Sequence, residues 1–295
     1  MLQALIKKAW NEQRRTHDYL SRMAITYNTL LLENTELYNV ITTNPGKDRI
    51  GWYLSLLCEI MANSRGEVFL KIKEKFLSEI TNLSEEECHK SYVSFGMSAS
   101  LTYTLADARF RDEEQRRSLK TEKDMESDEF DCLSMKNTAA ALYYGSIMLG
   151  NDSYLVKNDF AYMLRRKEVN QPYGLTVEDI LKDSIKAKKA FPLVNMALHY
   201  AMNRCSKEDW SQADELLAMI AEDEVKSIES YWTGMANWDE DEGFLVLLWL
   251  CRHGFIETTK YGDQERLFTL LKARVDTIPN WMKEKAFIKN STEIY

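Results

Sequence analysis

The amino-acid sequence predicts an all-α fold, an irregular, α-solenoid-like array of helical hairpins. Three observations predict it. The 295 residues include only 4 prolines and 11 glycines, too few for the many turns of a sandwich or barrel. Leu, Ala, Glu, Lys and Met, which favour helix, are plentiful. Apolar residues recur three and four positions apart along most of the chain, whereas the alternation that marks a half-buried strand is scarce.

Taken in order, Leu2, Leu5, Ile6 and Ala9 form one stripe, and Leu20, Met23, Ala24, Tyr27 and Leu31 form another. After the breaker Asn44-Pro45-Gly46, helical spacing resumes at Tyr53, Leu56, Leu57, Ile60 and Met61. Past Gly66 it continues at Phe69, Ile72, Phe76 and Ile80, so these two segments are expected to pair as a helical hairpin. Ser84 with Glu87 has the spacing of a capping box for a further helix, on which Tyr92, Phe95, Gly96, Ala99, Tyr103 and Ala106 share a face. Residues 1–110 are read as an N-terminal helical subdomain.

Residues 111–131 are dense in charge and nearly free of large apolar side chains. They are read as a connector or a solvated helix extension, with a regulatory or binding segment as the alternative. A C-terminal subdomain of helical hairpins is expected over 132–295. Within it Ala141-Leu-Tyr-Tyr144 and Ala197-Leu-His-Tyr200 resemble each other at a separation of 56 residues. That period exceeds the roughly 34 residues of a tetratricopeptide repeat, so any repeat is irregular. Phe244 to Cys251 is uninterruptedly apolar; acids precede it and Arg252, His253 and Gly254 follow, which predicts a buried helix rather than a strand. Asp263 can cap a last helix through Leu267, Leu270, Leu271 and Val275, before Pro279.

Composition excludes several classes of function. No apolar run approaches the roughly 20 residues that span a bilayer, so no membrane association is expected. At the amino terminus Lys7-Lys8 follows a short apolar stretch, the reverse of a secretory signal, and a cytoplasmic location is expected. Five dispersed cysteines (Cys58, Cys88, Cys132, Cys205, Cys251) read as reduced thiols. A net charge of −8 and a pI near 5.3 argue against direct binding of nucleic acid, which requires a basic face. A basic partner suits the chain better.

No catalytic, metal or cofactor site is predicted. His17, His89, His199 and His253 have no metal-ligand spacing. Cys88 and His89 adjoin in sequence, but neighbours on a helix point about 100° apart. His199 lies among apolar residues, as a core or groove histidine would, and Cys251 and His253 read as packing and capping residues. Neither a phosphate loop nor a nucleophile elbow is present. An enzyme of unfamiliar type remains a third class of reading.

The most informative charge feature is local. Between Ser206 and Glu242 twelve acids face only Lys207 and Lys226, a net −10 against −8 for the whole chain, which leaves the rest at +2. The same stretch holds Trp210, Tyr231, Trp232 and Trp238, and large aromatics beside charge suit a protein interface. Tyr231, Trp232, Trp238, Asp239, Glu240, Asp241 and Glu242 are therefore the candidate partner-binding residues.

Tyr231-Trp232, the acids Asp239 to Glu242, Gly243-Phe244-Leu245 and Gly254 together resemble the C-terminal part of the immunity protein 49 family of bacterial polymorphic-toxin systems. The likeness covers Ser230 to Phe255. It implies a cytosolic helical protein that binds a cognate toxin and neutralises it. Toxins that act on nucleic acids carry basic clefts, and an acidic face would steer association with one. The Ala-Leu-x-Tyr helix pairs are also similar to Sel1-like or tetratricopeptide-like repeats, which imply instead a scaffold for a peptide or regulatory protein.

Overall fold

The computed structural model describes residues 50–93, 96, 99, 102–103, 122–166, 169, 172–204, 206–237 and 241–255. About four-fifths of these residues are helical and none is strand, as the sequence predicts. The chain divides into two compact units, Met1–Gly174 and Leu175–Tyr295. Residues 122–131 of the charged stretch are the first turns of a long helix, Glu122–Met148, and 111–121 lie outside the described residues. The stripes before residue 50 and the helix expected after Asp263 also lie outside them.

In the first unit, helix α1 (Ile50–Asn63) packs against α2 (Gly66–Thr81) and against α4 (Glu122–Met148). Tyr53, Leu56, Leu57, Ile60 and Met61 are fully buried, and so are Leu54 and Cys58 between them. A helix apolar on every side belongs at the centre of its unit. One carboxylate is carried into that centre. Glu59 has no solvent exposure and accepts a hydrogen bond from Thr138 Oγ1 at 3.2 Å, as a buried polar group must.

Helix α3 (85–93) starts at the expected capping box. Ser84 N donates to Glu87 Oε2 at 2.9 Å and Glu87 N donates to Ser84 Oγ at 3.3 Å. Its continuation comes very close to the turn between α4 and α5 (Tyr154–Arg165). A Cβ on Gly96 would lie 2.9 Å from Asn151 Nδ2, and that amide is held by Ser146 Oγ at 2.7 Å, so the approach requires glycine. Below this turn the rings of Phe69, Phe76, Tyr144, Phe160 and Tyr173 interlock, with centroids 4.9–6.5 Å apart. Lys73 Nζ ties the chain segment that supplies Tyr173 to α2, donating to Pro172 O and Tyr173 O at 3.1 and 3.0 Å.

The second unit contains α6 (Val177–Lys186), α7 (Ala190–Leu198), a π-helical segment His199–Arg204, α8 (Lys207–Ala218), α9 (Val225–Asn237) and α10 (Asp241–Arg252). The apolar run from Phe244 is helical, with Leu245, Val246, Leu247, Trp249 and Leu250 buried. It stops where the glycine signal places the end. Gly254 has φ +76, and Phe255 N donates to Leu250 O at 2.9 Å, the Schellman closure that a left-handed residue permits. Helix α9 packs on α10, and Trp249 of α10 meets Trp210 of α8 with ring centroids 5.9 Å apart.

The two similar tetrapeptides do not share a conformation. Ala141 to Tyr144 lies inside α4, whereas Ala197 and Leu198 end α7 and His199 and Tyr200 open the π-helical segment.

Candidate functional site

The second unit holds the acid-rich segment, and local folding uses much of its charge. Ser206 and Asp209 form a capping box at the start of α8: Asp209 N donates to Ser206 Oγ at 3.0 Å and Ser206 N to Asp209 Oδ2 at 3.1 Å. Asp214 Oδ1 meets His253 Nε2 at 2.9 Å, joining α8 to the carboxyl end of α10. Glu224 Oε2 accepts from Ala190 N at 3.1 Å, so an acid 34 residues away caps α7. Glu208, Glu215, Glu222 and Asp223 are exposed.

The candidate partner-binding residues are distributed unevenly. Tyr231 is 45% exposed, a large aromatic at the surface of α9. Its ring stands edge-on against Phe191 at 5.6 Å and against Trp232 at 5.2 Å. Trp232 itself is 3% exposed and Glu242 is 9% exposed, so these two are packed inward. On α9 the step of about 100° between neighbours carries Trp232 round to the face that holds buried Val225 and Ile228 while Tyr231 stays on the exposed side. Asp241 opens α10; Trp238, Asp239 and Glu240 lie outside the described residues.

A second polar constellation was not singled out by sequence. His199 Nε2 lies 3.0 Å from Glu178 Oε1. Arg204 Nη1 lies 3.5 Å from the same oxygen, and Arg204 Nε lies 2.9 Å from Asp209 Oδ1. The guanidinium also sits over the ring of Tyr200, 5.0 Å from its centroid. Glu178 occupies the first turn of α6, whose start is fixed by a further capping box: Asp179 N donates to Thr176 Oγ1 at 3.1 Å. The π-helical segment brings His199, Tyr200 and Arg204 to this point, and such wide turns recur at functional positions.

Electrostatics follow the donors. Burial alone would push the Asp209 carboxyl up, but the Ser206 bonds, Arg204 and His199 outweigh it and hold it below the usual carboxylate range. Burial likewise opposes ionisation of Glu178, and a backbone donor, His199 and Arg204 overcome it. Tyr200 is pushed up by burial and by the two carboxylates, against the pull of Arg204. This arrangement stabilises a delocalised cation over an aromatic ring. The legible traces of it were the Ser-x-x-Asp and Thr-x-x-Asp spacings at 206–209 and 176–179 and the histidine among apolar residues.

Among the described residues no cluster of three or more histidine, cysteine or acidic side chains has the geometry to hold a metal, and no described helix is long and apolar enough to cross a membrane. Cys58 is buried and Cys88 half-buried; burial raises both thiols above their ordinary range, further helped in each case by a neighbouring glutamate. Comparison with known proteins adds no family: no family model matches the chain, and no curated protein or solved structure is significantly similar to it.

Proposed function

We propose that this chain acts by binding a basic protein, and that the partner is a toxin domain which the chain neutralises. One observation carries the binding reading. Among the described residues Tyr231 is the only large aromatic that stands exposed, and its ring is propped in place by Phe191 and Trp232. A preorganised exposed aromatic in a unit rich in surface acids (Glu208, Glu215, Glu222, Asp223) has the composition of an interface anchor. The toxin reading rests on the likeness of Ser230 to Phe255 to the immunity protein 49 family.

The test uses the full-length chain as bait in extract of its source cell, followed by co-expression of the captured protein. A toxin whose growth inhibition is relieved by the wild-type chain is the expected result. Tyr231→Ala should weaken that complex by about tenfold or more, with the melting temperature unchanged. Replacing Asp239, Glu240 and Asp241 by Asn, Gln and Asn should slow association and flatten its salt dependence. A partner held equally well by both variants would move the interface away from α9 and α10. The packing of consecutive helix pairs, α1 with α2 and α9 with α10, is the observation that favours the scaffold alternative. A non-toxic partner bound through an extended peptide would select it.

A further inference from the structure

Resting on the reading of a basic partner, we propose that Glu178, Asp209 and the ring of Tyr200 form a receptor for an arginine side chain, which Arg204 occupies until the partner supplies its own. The receptor takes two carboxylate oxygens and an aromatic face, the three surfaces that a planar guanidinium engages and a lysine ammonium matches poorly. Arg204 shows the fit directly, with 2.9 and 3.5 Å to the two carboxylates and 5.0 Å to the ring centroid.

Two features make the occupant exchangeable. Asp209 is held by Ser206 at the start of α8, and Glu178 by His199 and by the capped first turn of α6. The carboxylates therefore keep their places when Arg204 leaves, and a preorganised receptor spends little on ordering itself. Arg204, by contrast, is the last residue of the π-helical segment and its side chain is 48% exposed, whereas the Asp209 side chain is 6% exposed. Asp209, the buried wall of the socket, is fixed, while Glu178, 38% exposed, and the plug both reach the surface where a partner's arginine can enter. A tethered plug competes at a high effective concentration, so the unoccupied receptor would bind arginine much more strongly than the resting chain does.

The experiment compares acetylated, amidated hexa-arginine and hexa-lysine peptides binding to the full chain by fluorescence anisotropy. Arg204→Ala should bind hexa-arginine about tenfold or more tighter than the wild type, since the tethered competitor is gone. Hexa-lysine, which feels the same change of net charge, should gain less than about threefold. Adding Asp209→Asn, which keeps an acceptor for the cap, should abolish the arginine preference. Equal gains for both peptides, or no gain in a variant with unchanged circular dichroism, would overturn the proposal. Should Arg204→Ala fail to fold, the Nε–H resonance of Arg204 in the unsubstituted chain decides. Hexa-arginine, but not hexa-lysine, should shift it toward the position of free arginine, and an unmoved resonance counts against exchange. The peptides need no natural partner. A positive result beside a failed capture experiment would leave an arginine receptor with a different client, whereas the reverse would place the toxin elsewhere on the surface.

Discussion

Asp159 in the first unit and Asp209 in the second are both largely shielded carboxylates on helices, yet their protons are held in opposite ways. Burial dominates at Asp159 and pushes its carboxyl to about 6, with Asn158 and Tyr143 opposing; the Tyr143 hydroxyl is a long 3.4 Å away. Burial is also the largest influence at Asp209, but two bonds from Ser206 and the cation of Arg204 reverse the outcome. The lesson is that burial raises both carboxyls, and the donors and cations facing the oxygens decide whether it prevails. The cluster of five interlocked rings lies in the first unit, and the histidine–carboxylate pairs lie in the second.

The comparison breaks most visibly through the aromatic cluster. Phe160 is fully buried between Tyr144 and Tyr173, and Phe160→Ala should cost about 3 to 5 kcal/mol in urea unfolding. A loss under about 1 kcal/mol would mean that the rings do not bear the stability assigned to them.

Next in size is the opposed pH response. The folded chain keeps the proton of Asp159 up to about pH 6, whereas the unfolded chain releases it near the ordinary 3.8. Its contribution is therefore complete below the ordinary range and is lost as pH rises toward 6, by about 2 to 3 kcal/mol. Asp159→Asn should remove that loss and stabilise the chain at neutral pH. For Asp209 and Glu178 the sign reverses: the folded carboxyls lie below their ordinary range, so their contribution is present above it and vanishes as pH falls through the lowered values. Asp209→Asn should accordingly flatten the acid side of the stability profile and leave the interval between 4 and 6 unchanged. Swapped effects of the two variants would dissolve the distinction between the units.

A smaller effect sharpens the account of the second unit. Ser206→Ala removes one side of the α8 capping box and should cost about 1 kcal/mol, and it should also weaken the arginine preference of the Arg204→Ala chain, because Asp209 loses its anchor. Smallest on stability is Tyr231→Ala. An exposed residue should shift unfolding by less than about 0.5 kcal/mol, so any large loss of partner binding in that variant reports the interface and not the fold.

Much of the fold was legible residue by residue. The spacing of Tyr53, Leu56, Leu57, Ile60 and Met61 marked α1, Ser84 with Glu87 marked the start of α3, and the acids, apolar run and Gly254 bounded α10. These features follow local rules: a 3.6-residue period, a cap three residues from its partner, a glycine able to take positive φ. Local rules hold whatever lies across the core.

What the sequence could not settle was how its acids are used. A run of charge has the same composition whether its members face solvent or close contacts inside the protein. Only the tertiary structure assigned Glu224 to the start of α7, Asp214 to His253 and Asp209 to Arg204, pairings that join residues as far as 39 positions apart. It also turned Trp232 inward while leaving its neighbour Tyr231 at the surface, and it divided the chain into two compact units after Gly174. Each of these outcomes depends on which surfaces meet once the helices pack. That is decided by the burial of apolar area across the whole unit, which no short window of sequence contains.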